Sequence, residues 1–342
     1  LPWMLPTDVE FKPTGTSPLG QSKELAERTE KIFGKGWKPE VDTMDTFAGS
    51  SWYFFRFADP KNEKEFAGKA AMQKWLPVDL YVGGAEHTVL HLLYARFFTK
   101  ALRDMGYISF GEPFLKLRHQ GIILAEDSRK MSKRWGNVIN PDDMTTKFGA
   151  DALRMYEMFM GPLEAMKPWA TRNIAGLERF LERVWRLSES FSSGDLPAGK
   201  AGMNGSPTTA ENNVAQSLEN LLHKTIKKVG DDIESLKMNT AVSALMILLN
   251  ELEKSPSREA YKIFLRILSP FAPHITSELW ERTGDADLIY QTSWPAYDAS
   301  KLTAETIKIA VQVNGKVRGT IELAVDAPKE DAVLLAREIV RK

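Results

Sequence analysis

The run Val78-Asp79-Leu80-Tyr81-Val82, ending at Gly83-Gly84 and followed by a helical pattern over 86–105, constrains this chain more than any other segment. A short apolar run that stops at glycines is the pattern of a buried parallel strand reaching a turn. In the helical stretch Val89, Leu92, Leu93, Phe97, Ala101 and Leu102 share one side, and a second strand is expected over 118–124. Strand, helix and strand in one right-handed unit predict part of a doubly wound α/β sheet, with ligands outside the carboxyl ends of the strands.

Just beyond the second strand, Arg129, Lys130, Lys133 and Arg134 place four cations within six residues. Such a cluster is most often a solvated surface turn. Its place argues otherwise, because a loop leaving a strand end in a doubly wound sheet lies where nucleotide phosphates sit. Flexible lysines there can close on a pyrophosphate as charge develops on it.

The pair His87 and His91 lies at i, i+4 on the expected helix and so shares a face. That spacing is half of a zinc site. With no cysteine, and only His119, His223 and His274 left, no third ligand suggests itself, and two histidines satisfied at a helix–sheet seam is the simpler reading. Gly83-Gly84 would let backbone approach a nucleotide while Glu86 bonds ribose hydroxyls, as acidic residues near such turns do. The aromatic cluster Phe47, Trp52, Tyr53, Phe54, Phe55 and Phe57 reads as core by default. Ser50 and Ser51 within it suit the wall of a small-ligand pocket instead. Neither a Ser-His-Asp spacing nor a Walker loop is present.

From Asn140 onward the pattern is helical. Asn140 caps a helix with Pro141 at its first position, and Gly149 ends it. Further helices are expected over 151–160, 171–193, 209–236, 239–254, 257–268 and 272–283, and Ala241, Leu245, Leu248 and Leu252 form a 3.6-period stripe. Together they predict a helical bundle, interrupted by a Gly/Pro/Ser-rich linker over 195–207. At the end, Ile307, Ile309, Val311 and Val313 alternate, Asn314-Gly315 makes a two-residue turn, and Val317, Ile321, Leu323 and Val325 resume before a last helix near Pro328. Asn-Gly between alternating runs is a strong hairpin signal, because both turn positions need positive φ.

The 45 basic and 45 acidic residues cancel, so a nucleic-acid partner would have to be met by local patches rather than an overall field. The absence of cysteine excludes disulfides, thiolate metal sites and a thiol nucleophile. No signal peptide or membrane-length apolar run is found, and a cytoplasmic protein is expected. The first residue, Leu1, and the ending in mid-helix suggest a piece of something longer.

Taken together, the motifs resemble bacterial-type leucyl-tRNA synthetase over nearly the whole chain. The resemblance rests on Asp45-Thr46-Phe47 with Ser50-Ser51-Trp52-Tyr53, and on Gly83-Gly84-Ala85-Glu86-His87 with His91-Leu92-Leu93-Tyr94. It continues through Lys130-Met131-Ser132-Lys133, Pro270-Phe271-Ala272-Pro273-His274, and Val311-Gln312-Val313-Asn314-Gly315-Lys316-Val317-Arg318. The lysine loop is similar to the class I signature in general, whereas the Gly-Gly-Ala-Glu-His segment and the hairpin resemble the leucine enzyme over its isoleucine and valine relatives.

The resemblance implies a fold that is α/β plus all-α: the second half of a Rossmann-like catalytic domain (1–128), a lysine signature loop with stem-contact helices (129–170), a helical anticodon-binding domain (171–290), and the start of a small α+β tRNA-contacting domain (305–342). It implies ATP-dependent activation of leucine, with magnesium, and transfer to tRNA(Leu) by an enzyme that is monomeric when complete. Phe47, Ser50, Tyr53, His87 and His91 would line the leucine pocket. Gly83, Gly84, Glu86, Gln120, Gly121 and Ile122 would hold the adenosine, and Lys130, Met131, Ser132 and Lys133 would form the catalytic loop, with Lys133 on the ATP phosphates.

Three departures from the family pattern stand out. The family's histidine-glycine-histidine signature and its editing domain are not in this sequence, so the chain is expected to be inactive alone and to hold one sieve at most. One methylene is worth only about 1–3 kcal/mol of discrimination in an apolar pocket, which is why such enzymes use a hydrolytic second sieve. Eight residues separate Gly121 from Lys130, where many bacterial members carry an insertion. Arg134 stands where the signature usually has serine. The alternative reading is a non-catalytic tRNA-binding module or a subunit of a split synthetase.

Overall fold

The computed structural model describes residues 4–12, 15–42, 44–192, 209–285, 287–302, 306–313, 316–324 and 327–341. The expected linker over 195–207, the Asn314-Gly315 turn and Val325 lie outside the described residues. Contacts divide the chain into two compact units, Leu1–His119 and Gln120–Lys342.

The first unit carries α1 (Lys23–Phe33), α2 (Tyr53–Ala58), α3 (Lys69–Trp75), β1 (Tyr81–Gly84), α4 (His91–Asp104) and β2 (Leu117–Gln120), at whose end the chain passes into the second unit. Ser22 starts α1 by accepting the Leu25 amide on its hydroxyl. β1 pairs with β2, and the approach to them is parallel, with Val78 beside Phe114. Phe54, Phe55, Met72, Ala95 and Leu102 form the core, so α2, α3 and α4 pack on one another through the aromatic-rich stretch. Two expectations need correction here. The glycines Gly83 and Gly84 are the last residues of β1, not a turn after it. The expected helix over 86–105 is broken at Leu90 (φ −112°, ψ −107°) into a 3-10 turn, Ala85–Val89, and α4.

The second unit opens with β3 (Ile123–Leu124) and continues through α5 (Pro141–Phe148), α6 (Ala150–Phe159), β4 (Lys167–Pro168), α7 (Ile174–Ser192), α8 (Thr209–Glu234), α9 (Met238–Lys254), α10 (Arg258–Leu268) and α11 (Pro273–Arg282). The expected strand over 118–124 is therefore two strands in two sheets, because β3 pairs in parallel with β4 and not with β1. Gly121 is the reason. Its N–H donates to the Leu163 carbonyl at 2.7 Å, and a Cβ built on it would lie 2.1 Å from the Ala165 oxygen. Only a residue without a side chain lets the backbone turn aside here.

One hydrophobic core runs through α6 to α11. Leu245, Leu248 and Leu252 on α9, Phe264 and Leu265 on α10, and Val184 on α7 are all fully buried. The Tyr261 hydroxyl donates to the Val184 carbonyl at 2.9 Å, tying α10 to α7. Ile123, Met131, Ile139 and Met144 pack against the same core. This segment therefore falls with the bundle in the second compact unit.

α11 begins with Pro273, and its N-cap residue, Ala272, has no side-chain acceptor. The orphan donors of the first turn are met from α6 instead: buried Asp151 accepts the Ile275 amide at 2.7 Å, the His274 amide at 3.3 Å and His274 Nδ1 at 2.8 Å. A carboxylate at a helix N-terminus also meets the positive end of its dipole.

The last module is the antiparallel hairpin β5 (Thr306–Val313) and β6 (Lys316–Ala324), with a register shift at Val311/Gln312, followed by α12 (Lys329–Arg341). Val311, Ile321 and Leu323 make its own small core against Leu335, Ala336 and Ile339 of α12.

Asp151→Ala should lower the urea midpoint of the chain, at a cost of about 1–3 kcal/mol for leaving these donors unmet. Asp151→Asn, which keeps an acceptor oxygen, should lose less. Equal midpoints for all three proteins would contradict the cap.

Candidate functional site

In the first unit, Asp45 starts the construction. Its carboxylate accepts the Phe47 amide at 2.8 Å and also bonds the Tyr94 hydroxyl, whose pKa the nearby negative charge raises. Phe47 is thereby held over two rings, 6.3 Å from His87 edge-on and 5.9 Å from Tyr94. Ser50 lies in the same turn, but its hydroxyl donates to the Phe47 carbonyl at 3.0 Å and so serves the backbone. Tyr53, at the start of α2, is 6.3 Å from His91, and the two histidine rings are 6.4 Å apart. All five expected pocket residues thus lie in one neighbourhood.

The histidines are nevertheless unlike. The break at Leu90 separates them from a common helix face, leaving His87 exposed and His91 buried. Both burial and the neighbouring His87 hold His91's pKa below the ordinary histidine value. Its Nε2 is 2.6 Å from the Tyr81 hydroxyl, which is 2.9 Å from the Tyr53 hydroxyl. Its buried Nδ1 has no hydrogen-bond partner among the described residues. Tyr81 is fixed by stacking on Phe114, ring centroids 3.8 Å apart, and burial followed by the Tyr53 contact pushes its pKa up.

Tyr81 is the residue that sequence reasoning missed. The apolar pattern of 78–82 takes it as one more strand position, although a tyrosine amid aliphatic residues is itself a sign that a hydroxyl is wanted at that point.

The residues expected to hold adenosine are divided between the units. In the first, Glu86 folds back so that a Cβ built on Gly84 would lie 2.5 Å from its Oε2. A Cβ on Gly83 would meet nothing within 4 Å, so the fold itself gives no reason for glycine there. The Gly83 carbonyl is 3.3 Å from His119 Nδ1, and Thr88 reaches His119 Nε2 at 3.4 Å. In the second unit, Gln120 is exposed, Gly121 is required by its contact with residues 163–165, and Ile122 accepts the Lys167 amide at 3.1 Å.

The basic loop folds back on itself through a bridge between Leu124 and Lys130, with Ser128 in the left-handed region (φ 62°). It sorts its four cations. Arg129 pairs with Asp127, at 2.6 and 2.8 Å, and lies over the Trp135 ring at 5.2 Å. Arg134 lies over the same ring at 5.6 Å. Lys130 and Lys133 are exposed, and among the described residues neither has an acidic partner within 4.0 Å. Met131 is half-buried against the core of the bundle, while Ser132 caps the short 3-10 turn Lys133–Trp135 by accepting the Arg134 amide. The loop therefore has an inward anchor and two outward charges free for an anion.

Comparison with known families bears directly on these two arrangements. Residues 15–167 match the family of class I tRNA synthetases (I, L, M and V), and residues 215–334 match the anticodon-binding domain of tRNA ligase. The chain belongs to the class I tRNA synthetases. It is a part of their catalytic domain followed by the helical anticodon-binding region. Among solved structures it is similar to the LeuRS of Agrobacterium radiobacter K84 (agnB2), in a ternary complex with tRNA and LeuAMS, at 35% identity and a TM-score of 0.70 over 89% of this chain. This synthetase chain spans 39% of the length of that protein. It is also matched to the Mycobacterium tuberculosis methionyl-tRNA synthetase with methionyl-adenylate, at 18% identity and a TM-score of 0.48, over 68% of this chain and 48% of that one. The second superposition is too loose to weigh further.

Among the described residues no group of three or more His, Asp or Glu could hold a metal ion, and no helix is long and apolar enough to cross a membrane.

The two histidines give a direct check. His91 should titrate below 6.5 in an NMR titration, and His87→Ala should raise its midpoint by removing the neighbouring positive charge. A midpoint indifferent to residue 87 would contradict the coupling.

Proposed function

We propose that this chain is the leucine-selecting and tRNA-docking portion of a leucine–tRNA ligase. The observation that carries the reading is a cluster in which Tyr53 and His91 meet at the Tyr81 hydroxyl, His87 lies beside His91, and Phe47 lies beside His87. Aromatic walls suit a branched aliphatic side chain, and a few fixed polar atoms give it orientation. The 35% identity to a LeuRS that carries LeuAMS supports the same substrate.

On this reading the leucine carboxylate attacks the α-phosphorus of ATP, forming leucyl-adenylate as the bond to pyrophosphate breaks. Lys130 and Lys133, which have no acidic partner among the described residues, offset the charge that builds on the leaving phosphates. Gly83, Gly84, Glu86, Gln120, Gly121 and Ile122 hold the adenosine. In the second step a hydroxyl of the 3′-terminal adenosine of tRNA(Leu) attacks the adenylate carbonyl and AMP leaves. The described residues offer no cage for magnesium, so an ion of this kind would rest on the substrate's phosphates and water. Residues 1–128 serve the catalytic domain, 129–170 the signature loop and stem contacts, 171–290 the anticodon-binding bundle, and 305–342 begin a further tRNA-contacting domain. The complete enzyme is cytoplasmic and acts as a monomer.

The test is leucine-dependent ATP–pyrophosphate exchange by the full-length polypeptide that carries this sequence. Lys133→Ala should lower kcat on the order of 100-fold or more, with the KM for leucine little changed. Tyr81→Phe, which leaves His91 Nε2 without its partner, should instead raise the KM for leucine about tenfold. Equal effects of both variants on both constants would contradict the assigned division of labour.

A further inference from the structure

We infer that Asn137 is a positioning residue for the lysine loop, a role that rests on the proposed phosphate chemistry of Lys130 and Lys133. Asn137 lies beyond the loop, is half-buried, and uses both ends of its amide on it. Its Oδ1 accepts the Ser132 amide at 2.9 Å, and its Nδ2 donates to the Lys130 carbonyl and to Asp127 Oδ1, each at 3.4 Å. The backbone on both sides of Met131 is thus gripped by one side chain. Because the bonds are to main-chain atoms of Lys130 and Ser132, they set where both lysines leave the backbone without touching either ammonium group.

Asp127 extends the grip. It accepts the Arg129 amide at 3.0 Å and the Arg129 guanidinium, so the cation that could compete with the lysines is held back against Trp135. These hydrogen bonds hold Asp127's pKa below the usual carboxylate range, first through Arg129 and also through Asn137. Met131 fixes the loop from beneath, in the bundle core, and Asn137 fixes it from the side. Asparagine suits this position because it alone among small polar side chains offers an acceptor and two donors without charge. An aspartate would keep the acceptor and place a second carboxylate beside Asp127 and two lysines.

The experiment has two arms. Amide hydrogen exchange on this chain reads the grip itself. Asn137→Ala should accelerate exchange of the Ser132 amide while leaving the core helices α9 and α10 protected, which shows that the variant is folded. Pyrophosphate exchange on the full-length polypeptide reads its consequence. Asn137→Ala should lower kcat about 10- to 100-fold, the loss expected from misplacing reacting groups, with the KM for leucine unchanged. Asn137→Asp should restore the protection of Ser132 but not the rate. Unchanged Ser132 exchange in Asn137→Ala, or an unchanged kcat while Lys133→Ala is impaired, would overturn the inference. An unimpaired Lys133→Ala would overturn the phosphate reading, and the role of Asn137 with it.

Discussion

The second unit depends on one joint, the buried carboxylate of Asp151. It sits on α6, which follows the lysine loop and α5, and it completes the first turn of α11, more than a hundred residues further on. A helix that starts at proline behind an alanine has no acceptor of its own, so α11 can begin where it does only because α6 supplies one. The shared core reinforces this, since Ile123 and Met131 pack into the apolar interior that α9 and α10 fill. Loop and bundle are consequently one mechanical body. An anion held by Lys130 and Lys133 and an RNA docked on the bundle would bear on the same packing.

The first unit adds to its aromatic core a hydrogen-bonded chain of hydroxyls and imidazole. Tyr53, Tyr81 and His91 position one another, and Phe114 holds Tyr81 from behind. Burial, and then the neighbouring His87, lower the pKa of His91 and so favour its neutral form. A neutral, oriented ring is compatible with an apolar ligand beside it, whereas an imidazolium would demand a counter-ion. Its buried Nδ1 has no hydrogen-bond partner among the described residues.

What the sequence made legible was whatever is encoded locally. Asn140, Pro141 and Gly149 delimit α5 because capping chemistry acts over three or four residues, and the structure has Asn140 accepting the Asp142 amide. The stripe Ala241, Leu245, Leu248 and Leu252 is fully buried because a 3.6 period has one inward face. What failed was whatever depends on distant partners. The turn of the chain at Gly121 is dictated by residues 163–165, and the cap on α11 by Asp151. The break at Leu90, which separates His87 from His91's helix, has no proline or glycine to announce it. In the candidate site the residue types were readable from their motifs, while Tyr81, whose hydroxyl links Tyr53 to His91, was hidden inside a strand pattern.

The central claim is that this synthetase chain selects leucine, and the amino-acid dependence of adenylate formation tests it most directly. Pyrophosphate exchange by the full-length polypeptide should be compared with leucine, isoleucine, valine and methionine as substrates. The account predicts the highest kcat/KM for leucine, with isoleucine and valine lower by the modest factors that a methylene or a branch point allows. A preference for methionine, isoleucine or valine would contradict it, because the Tyr53–Tyr81–His91 arrangement would then be shaping a different side chain.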